Sequence, residues 1–174
     1  MKCQPAVRLI AGLCLCLGFV ASGHAQNQPP AQAAPSKEKV VTSHASGTFD
    51  VKLTPLAVEE GADAGLARMS IDKQFHGDLE GTSKGFMLAS SATVVKGSGG
   101  YVAMERVTGT LKGRTGTFVL QHSGTMTRGT PQLSVTVVPD SGTGQLEGIS
   151  GALTIKIDQG KHSYEFEYTL PQTM

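Results

Sequence analysis

Glu105 and His122 are the two residues whose types and placement could support chemistry in this chain. A carboxylate beside an imidazole in a dry interior can have strongly displaced pKa values, as acid–base catalysts do. The plainer role is a buried polar pair that satisfies its own hydrogen bonds and fixes the register of two strands. The residues alone leave both roles open, with Glu105 and His122 as the candidate catalytic pair. Other candidates are poorer. His44, His76 and His162 stand singly, with no H-x-H or H-E-x-x-H spacing, so no metal site and no cofactor are expected. Ser123 follows His122 directly, but neighbours on a strand point to opposite faces and cannot form a nucleophile–base pair. Asp140-Ser141-Gly142 reads as an Asx-type turn, and the remaining Lys, Asp and Glu residues as an outward, solvated face.

Strand pairing must bring the pair together, and two hairpins can be registered. A four-residue loop at Lys112 to Thr115 sets Leu111 opposite Gly116, Gly109 opposite Phe118 and Val107 opposite Leu120. Glu105 then faces His122, and Tyr101 faces Met126. This face is the more apolar one, so it should point inward, with Tyr101, Val107, Phe118, Leu120 and Met126 lining an interior ligand cavity. In the last hairpin, a turn at Gln159-Gly160 sets Ile155 against Tyr164, Leu153 against Phe166 and Gly151 against Tyr168. Both registers place an aromatic across from a glycine, a known protection of such positions.

The elements around these hairpins are strands. Period-two alternation dominates after residue 44, as in Phe49, Val51 and Leu53, or Met69, Ile71 and Phe75. Eight such segments can be counted, separated mostly by glycine turns. No window carries a helical period; Leu56 to Leu66 comes nearest, but Gly61, Gly65 and three acids make it a loop. Pro55 implies an edge, a bulge or a strand end. Eight strands in sequence suit an all-β, antiparallel up-and-down barrel, whose closure removes exposed edges. One pattern, G-x-L-x-G-x-[ST], occurs at Gly77, Gly109 and Gly144 with starts 32 and 35 residues apart. None opens a helix, so phosphate cradling is a weak reading. A better one has each leucine plugging a barrel end, with glycines taking positive φ at tight corners.

The runs GTFDVKLTPL (47–56), GDLEGTSKG (77–85), GYVAMERVTGTLKGRTGTFVLQHSGTM (100–126), VPDSGTGQLEGISG (138–151) and HSYEFEYTLP (162–171) resemble the bacterial domain-of-unknown-function 3224 family. The resemblance spans nearly the whole region after residue 44. That family is grouped with barrels similar to allene oxide cyclase, which implies an eight-stranded barrel with an internal cavity. It implies no activity, and no residue of the plant cyclases can be carried over position by position.

The start of the chain reads as processing information. Lys2 and Arg8 precede an uncharged run from Leu9 to Val20, and Gly23-His24-Ala25 suits a cut before Gln26. Twelve residues are too few for a membrane span, which needs about 20. Cys14 and Cys16 each follow a large leucine, which disfavours a lipoprotein cut. The domain plan is therefore a signal peptide at 1–25, a disordered Pro/Gln/Ala-rich linker at 26–43 and one barrel domain at 44–174, without a stable membrane anchor after cleavage. Export to the periplasm or the medium is expected.

All three cysteines lie in the leader, so the mature chain has no disulfide, thiolate or cysteine-ligand chemistry. Removing Lys2 and Arg8 takes the formal charge from +1 to −1, with cations scattered, which argues against nucleic acid. Three functions stay open: a barrel sheltering a small apolar ligand, a cofactor-free isomerase or cyclase using the Glu105–His122 pair, and a non-catalytic interaction or structural barrel.

Overall fold

The computed structural model describes residues 41–57, 65–90 and 94–171. The expected signal peptide and most of the linker lie outside the described residues. Nine strands follow one another: β1 (Thr42–Pro55), β2 (Leu66–Gly77), β3 (Leu79–Ser90), β4 (Gly99–Leu111), β5 (Arg114–Thr127), β6 (Thr130–Val137), β7 (Thr143–Gly144), β8 (Ser150–Asp158) and β9 (Lys161–Thr169). Among the described residues there is no helix. β1 begins two residues inside the expected linker, and Pro55 marks its end.

All neighbours pair antiparallel, and pairing of β4 with β5 and of β1 with β9 closes β1–β6, β8 and β9 into an eight-stranded barrel. The thinnest seam is between β6 and β8, registered by Thr136 against Ala152 alone. Two-residue β7 lies in the connection between them and pairs with β5 at Gly116 and Thr117. Ser141 holds this connection: its Oγ donates to the Val138 carbonyl at 2.7 Å and accepts from the Val119 amide at 3.0 Å. The turn expected at Asp140 is therefore centred on the serine hydroxyl.

Alternation decides which side chains enter the barrel. On β4, Ala103, Glu105 and Val107 are buried, while Val102, Met104 and Arg106 face out. On β5, Phe118, Leu120 and His122 are likewise buried. The β8–β9 register is the expected one, with Ile155 on Tyr164 and Gly151 on Tyr168. The β4–β5 register differs. Leu111 pairs with Arg114, not Gly116, because Lys112-Gly113 is a two-residue turn. Lys112 has φ 45° and Gly113 φ 83°, the paired positive values of a type I′ hairpin, whose twist matches that of the strands.

The register consequently slides by two residues, which changes partners but keeps every side chain on its face. Gly109 faces Gly116 and not Phe118; Val107 faces Phe118; Tyr101 faces Gly124 and not Met126. The aromatic cover on this hairpin is Tyr101 over Gly124, where an added Cβ would run into the ring at Cε1 and Cδ1.

The interior is unevenly filled. Around the β2–β3 and β4–β5 turns it is solid, with Leu79, Leu111 and Leu146, the leucines of the three repeated motifs, all buried to within 1%. The Leu79 amide donates to Tyr164 Oη at 2.9 Å, fixing one corner on the barrel wall. Phe118 and Phe166 stack at 5.8 Å, and Phe75 meets Tyr164 edge-on at the same separation. Phe49, Phe75 and Leu120 belong to this packed half.

Candidate functional site

A layer of polar side chains lies directly above that core. β2 contributes Lys73, β3 Ser83, β4 Glu105 and β5 His122, and all four are buried. The chain can place them there because alternation puts each on an inward position, Lys73 falling between Ile71 and Phe75. β3 carries only Ser83 and Gly85 between the lysine and the glutamate. Gly85 pairs with Glu105. A Cβ at Gly85 would run into the Met104 carbonyl oxygen and the Cα and Cβ of Glu105, so glycine lets β3 approach β4 closely beside the inward-turned glutamate.

Glu105 is the hub of the layer. Its Oε1 accepts from Lys73 Nζ at 2.6 Å and from His122 Nε2 at 2.9 Å, and its Oε2 from Ser83 Oγ at 2.7 Å. The carboxylate is acceptor-only when ionised, so His122 presents Nε2–H to it. Burial pushes the Glu105 carboxyl upward, but the His122 hydrogen bond and the Lys73 ammonium outweigh burial and lower it to about 2. The ammonium also sits 4.8 Å from the Phe49 ring centroid and 5.8 Å from that of Phe75. Lysine and glutamate together cancel in charge.

Above this layer a cavity of about 350 Å³ opens toward the far end of the barrel. Its walls are mainly apolar: Val51, Ile71, Met87, Ala103, Leu133 and Ile155 are among them. Lys73, His122, Tyr101 and His162 also reach it. His162 lies against Phe49, ring centroids 5.0 Å apart. Burial, and then the Glu105 charge, raise the Tyr101 phenol above its ordinary value, so it stays a neutral hydroxyl. A larger hollow, about 560 Å³, lies on the outer wall between Phe86, Leu88, Val102 and Met104. Met87, Ala103 and His122 form its floor, yet their side chains point inward. The polar layer does not work on that outer surface, so the inner cavity is the candidate site.

The structure brings Glu105 and His122 into contact as diagonal neighbours, since Glu105 pairs with Leu120 and His122 with Ala103. Of the residues expected to line a cavity, Tyr101 does so. Val107, Phe118 and Leu120 belong instead to the packed core below the polar layer, each no more than 1% exposed. Met126 sits at the end of β5 and is 40% exposed, because the shortened turn moves Gly124 into its expected place. Lys73 and Ser83 were not anticipated. The expected outward face of lysines fails at Lys73, and the period-two series Met69, Ile71, Lys73, Phe75 carries the signal. His76 comes within 3.5 Å of Asp50 and 4.0 Å of Glu80 on the surface. Among the described residues no three His, Cys, Asp or Glu converge as a metal site.

The model of a family described as a protein of unknown function, DUF3224, matches residues 45–168, which is the barrel from β1 to β9. The chain belongs to the DUF3224 family. A solved DUF3224 protein of unknown function from Shewanella oneidensis MR-1 is 46% identical, with a TM-score of 0.68 over 78% of this chain and 100% of its own. No curated protein matches the chain. The match to the DUF3224 model takes in Lys73, Ser83, Glu105 and His122 together with the strands that carry them.

Proposed function

We propose that this DUF3224 barrel is exported and shelters one small, mainly apolar molecule in the cavity at its open end. The observation that supports this best is the division of the interior into a packed half and an open half. A barrel serving only as a scaffold would gain stability from filling both halves. The open volume lies at the small end of the roughly 300–1,000 Å³ range of small-molecule sites, and its mostly apolar walls with a few polar groups fit that class. Export rests on the basic start, the uncharged run and the small residues before Gln26.

The isomerase or cyclase alternative draws on the Glu105–His122 contact. A general base works best with a pKa near the operating pH. Glu105, held to about 2 and accepting from three donors, is a poor base, so that reading would need His122 to act alone. The interaction alternative draws on the outer wall, where Phe86 is 64% and Met104 51% exposed. Native mass spectrometry of protein purified from its own host tests the proposal. One small molecule per chain, released on unfolding, is the expected result. A chain that is empty from its host and takes up no apolar probe would argue against sheltering.

A further inference from the structure

The polar layer is closed on its core side and unfinished on its cavity side. His122 uses Nε2 toward Glu105, and its Nδ1 has no hydrogen-bond partner among the described residues. No buried side-chain nitrogen or oxygen among the described residues lacks a partner, so Nδ1 is not sealed, and His122 is a wall residue of the inner cavity. Tyr101 is in the same position: its hydroxyl has no partner among the described residues and is not sealed, and the residue lines the same cavity. The Lys73 ammonium is engaged by Glu105 and by the Phe49 and Phe75 rings.

Resting on the sheltering role, we infer that the sheltered molecule carries a hydroxyl, as an apolar alcohol or phenol does, which donates to His122 Nδ1 and accepts from Tyr101 Oη. Because Lys73 already balances the Glu105 charge, His122 enters as the neutral imidazole that gives Nε2–H to Glu105, and its Nδ1 is a lone pair. An acceptor-only head, such as an ether or ketone, would set lone pair against lone pair there. A carboxylate would lie near Glu105 in a site where Lys73 is already neutralised by that residue. A hydroxyl meets both requirements: it carries one proton to give and lone pairs to receive the tyrosine's.

Three probes with one ring system separate these cases by titration calorimetry on the full mature chain: 2-naphthol, 2-methoxynaphthalene and 2-naphthoate. The expected order has 2-naphthol tightest, about tenfold over the ether, as one hydrogen bond to an otherwise unpaired acceptor gives. Tyr101→Phe should weaken 2-naphthol severalfold. Histidine ring ¹⁵N spectra should show the His122 Nδ1 signal moving with 2-naphthol and not with the ether. Equal affinity for 2-naphthol and the ether would overturn the hydroxyl assignment and leave sheltering intact. Tightest binding of 2-naphthoate would overturn it in favour of an anionic head. Failure of all three to bind would overturn the sheltering role and this inference with it.

Discussion

Glu105 accepts hydrogen bonds from Lys73, Ser83 and His122 in a place that water does not reach, and its neighbours therefore depend on it. Removing one partner of a buried pair strands the other charge, at a cost of roughly 3–5 kcal/mol. Lys73→Met and Glu105→Gln should each lose stability on that scale in urea titrations. The double variant Lys73→Met/Glu105→Gln should lose clearly less than the sum, since the shared interaction is removed once. Additive losses would mean that the contact carries no coupling. The pH dependence has a definite sign. The folded-state value of Glu105 is depressed, so its contribution is full above the unfolded value of 4.5 and is lost as pH falls toward about 2. That contribution is of order 3 kcal/mol by linkage. The stability difference between wild type and Glu105→Gln should shrink across this interval; a difference constant down to pH 2 would contradict the pairing. Glu105 and His122 were legible in the sequence because inward parity survives a two-residue register error. Lys73 was legible too, by the same parity. It was missed because a lysine is so rarely buried without a partner that its charge was read ahead of its position.

At the scale of elements, the difference between expectation and structure comes down to one turn. Lys112-Gly113 lacks the Asn-Gly or Asp-Gly signature of a tight hairpin, so a longer loop reads naturally from the residues. Yet Arg128-Gly129 and Gln159-Gly160 have the same pair of positive φ values. Three hairpins of this barrel thus use a long polar residue followed by glycine, and the Gln159-Gly160 turn, read correctly, was the available precedent. The β3 strand makes the second element-scale prediction. Gly85→Ala would push its Cβ against the Glu105 Cβ and Cα, so it should destabilise and should expose His122 to solvent, as hydrogen exchange and histidine titration by NMR would show. An alanine variant with wild-type stability and an unchanged histidine titration would remove Gly85 from the account. Below the polar layer, Phe118 is fully buried and stacked on Phe166, and Phe118→Ala should cost roughly 3–5 kcal/mol. A loss under about 1 kcal/mol would place it outside the core.

At the largest scale, the barrel and its strand count follow from alternation and glycine turns, since eight amphipathic strands, with no helix among the described residues, have few other ways to cover their edges. The half-empty interior is a different kind of fact. Which inward side chains fill space depends on how the strands are staggered around the ring, and parity carries no information on that. Val107, Phe118 and Leu120 were for this reason expected in the cavity and lie in the core, while Val51, Ile71 and Ile155 wall the cavity. In the proposed role, the open half receives a small apolar molecule. Ala103 lies on the cavity wall and points inward, whereas Met104, its neighbour, points out to the groove on the other side of the sheet. Titrating an apolar fluorescent probe into wild type, Ala103→Trp and Met104→Ser tests the claim directly, with circular dichroism checking that each variant is folded. Saturable binding of one probe per chain is expected for wild type and Met104→Ser, with at least a tenfold loss in folded Ala103→Trp. Undiminished binding in folded Ala103→Trp, or loss of binding in Met104→Ser, would contradict it.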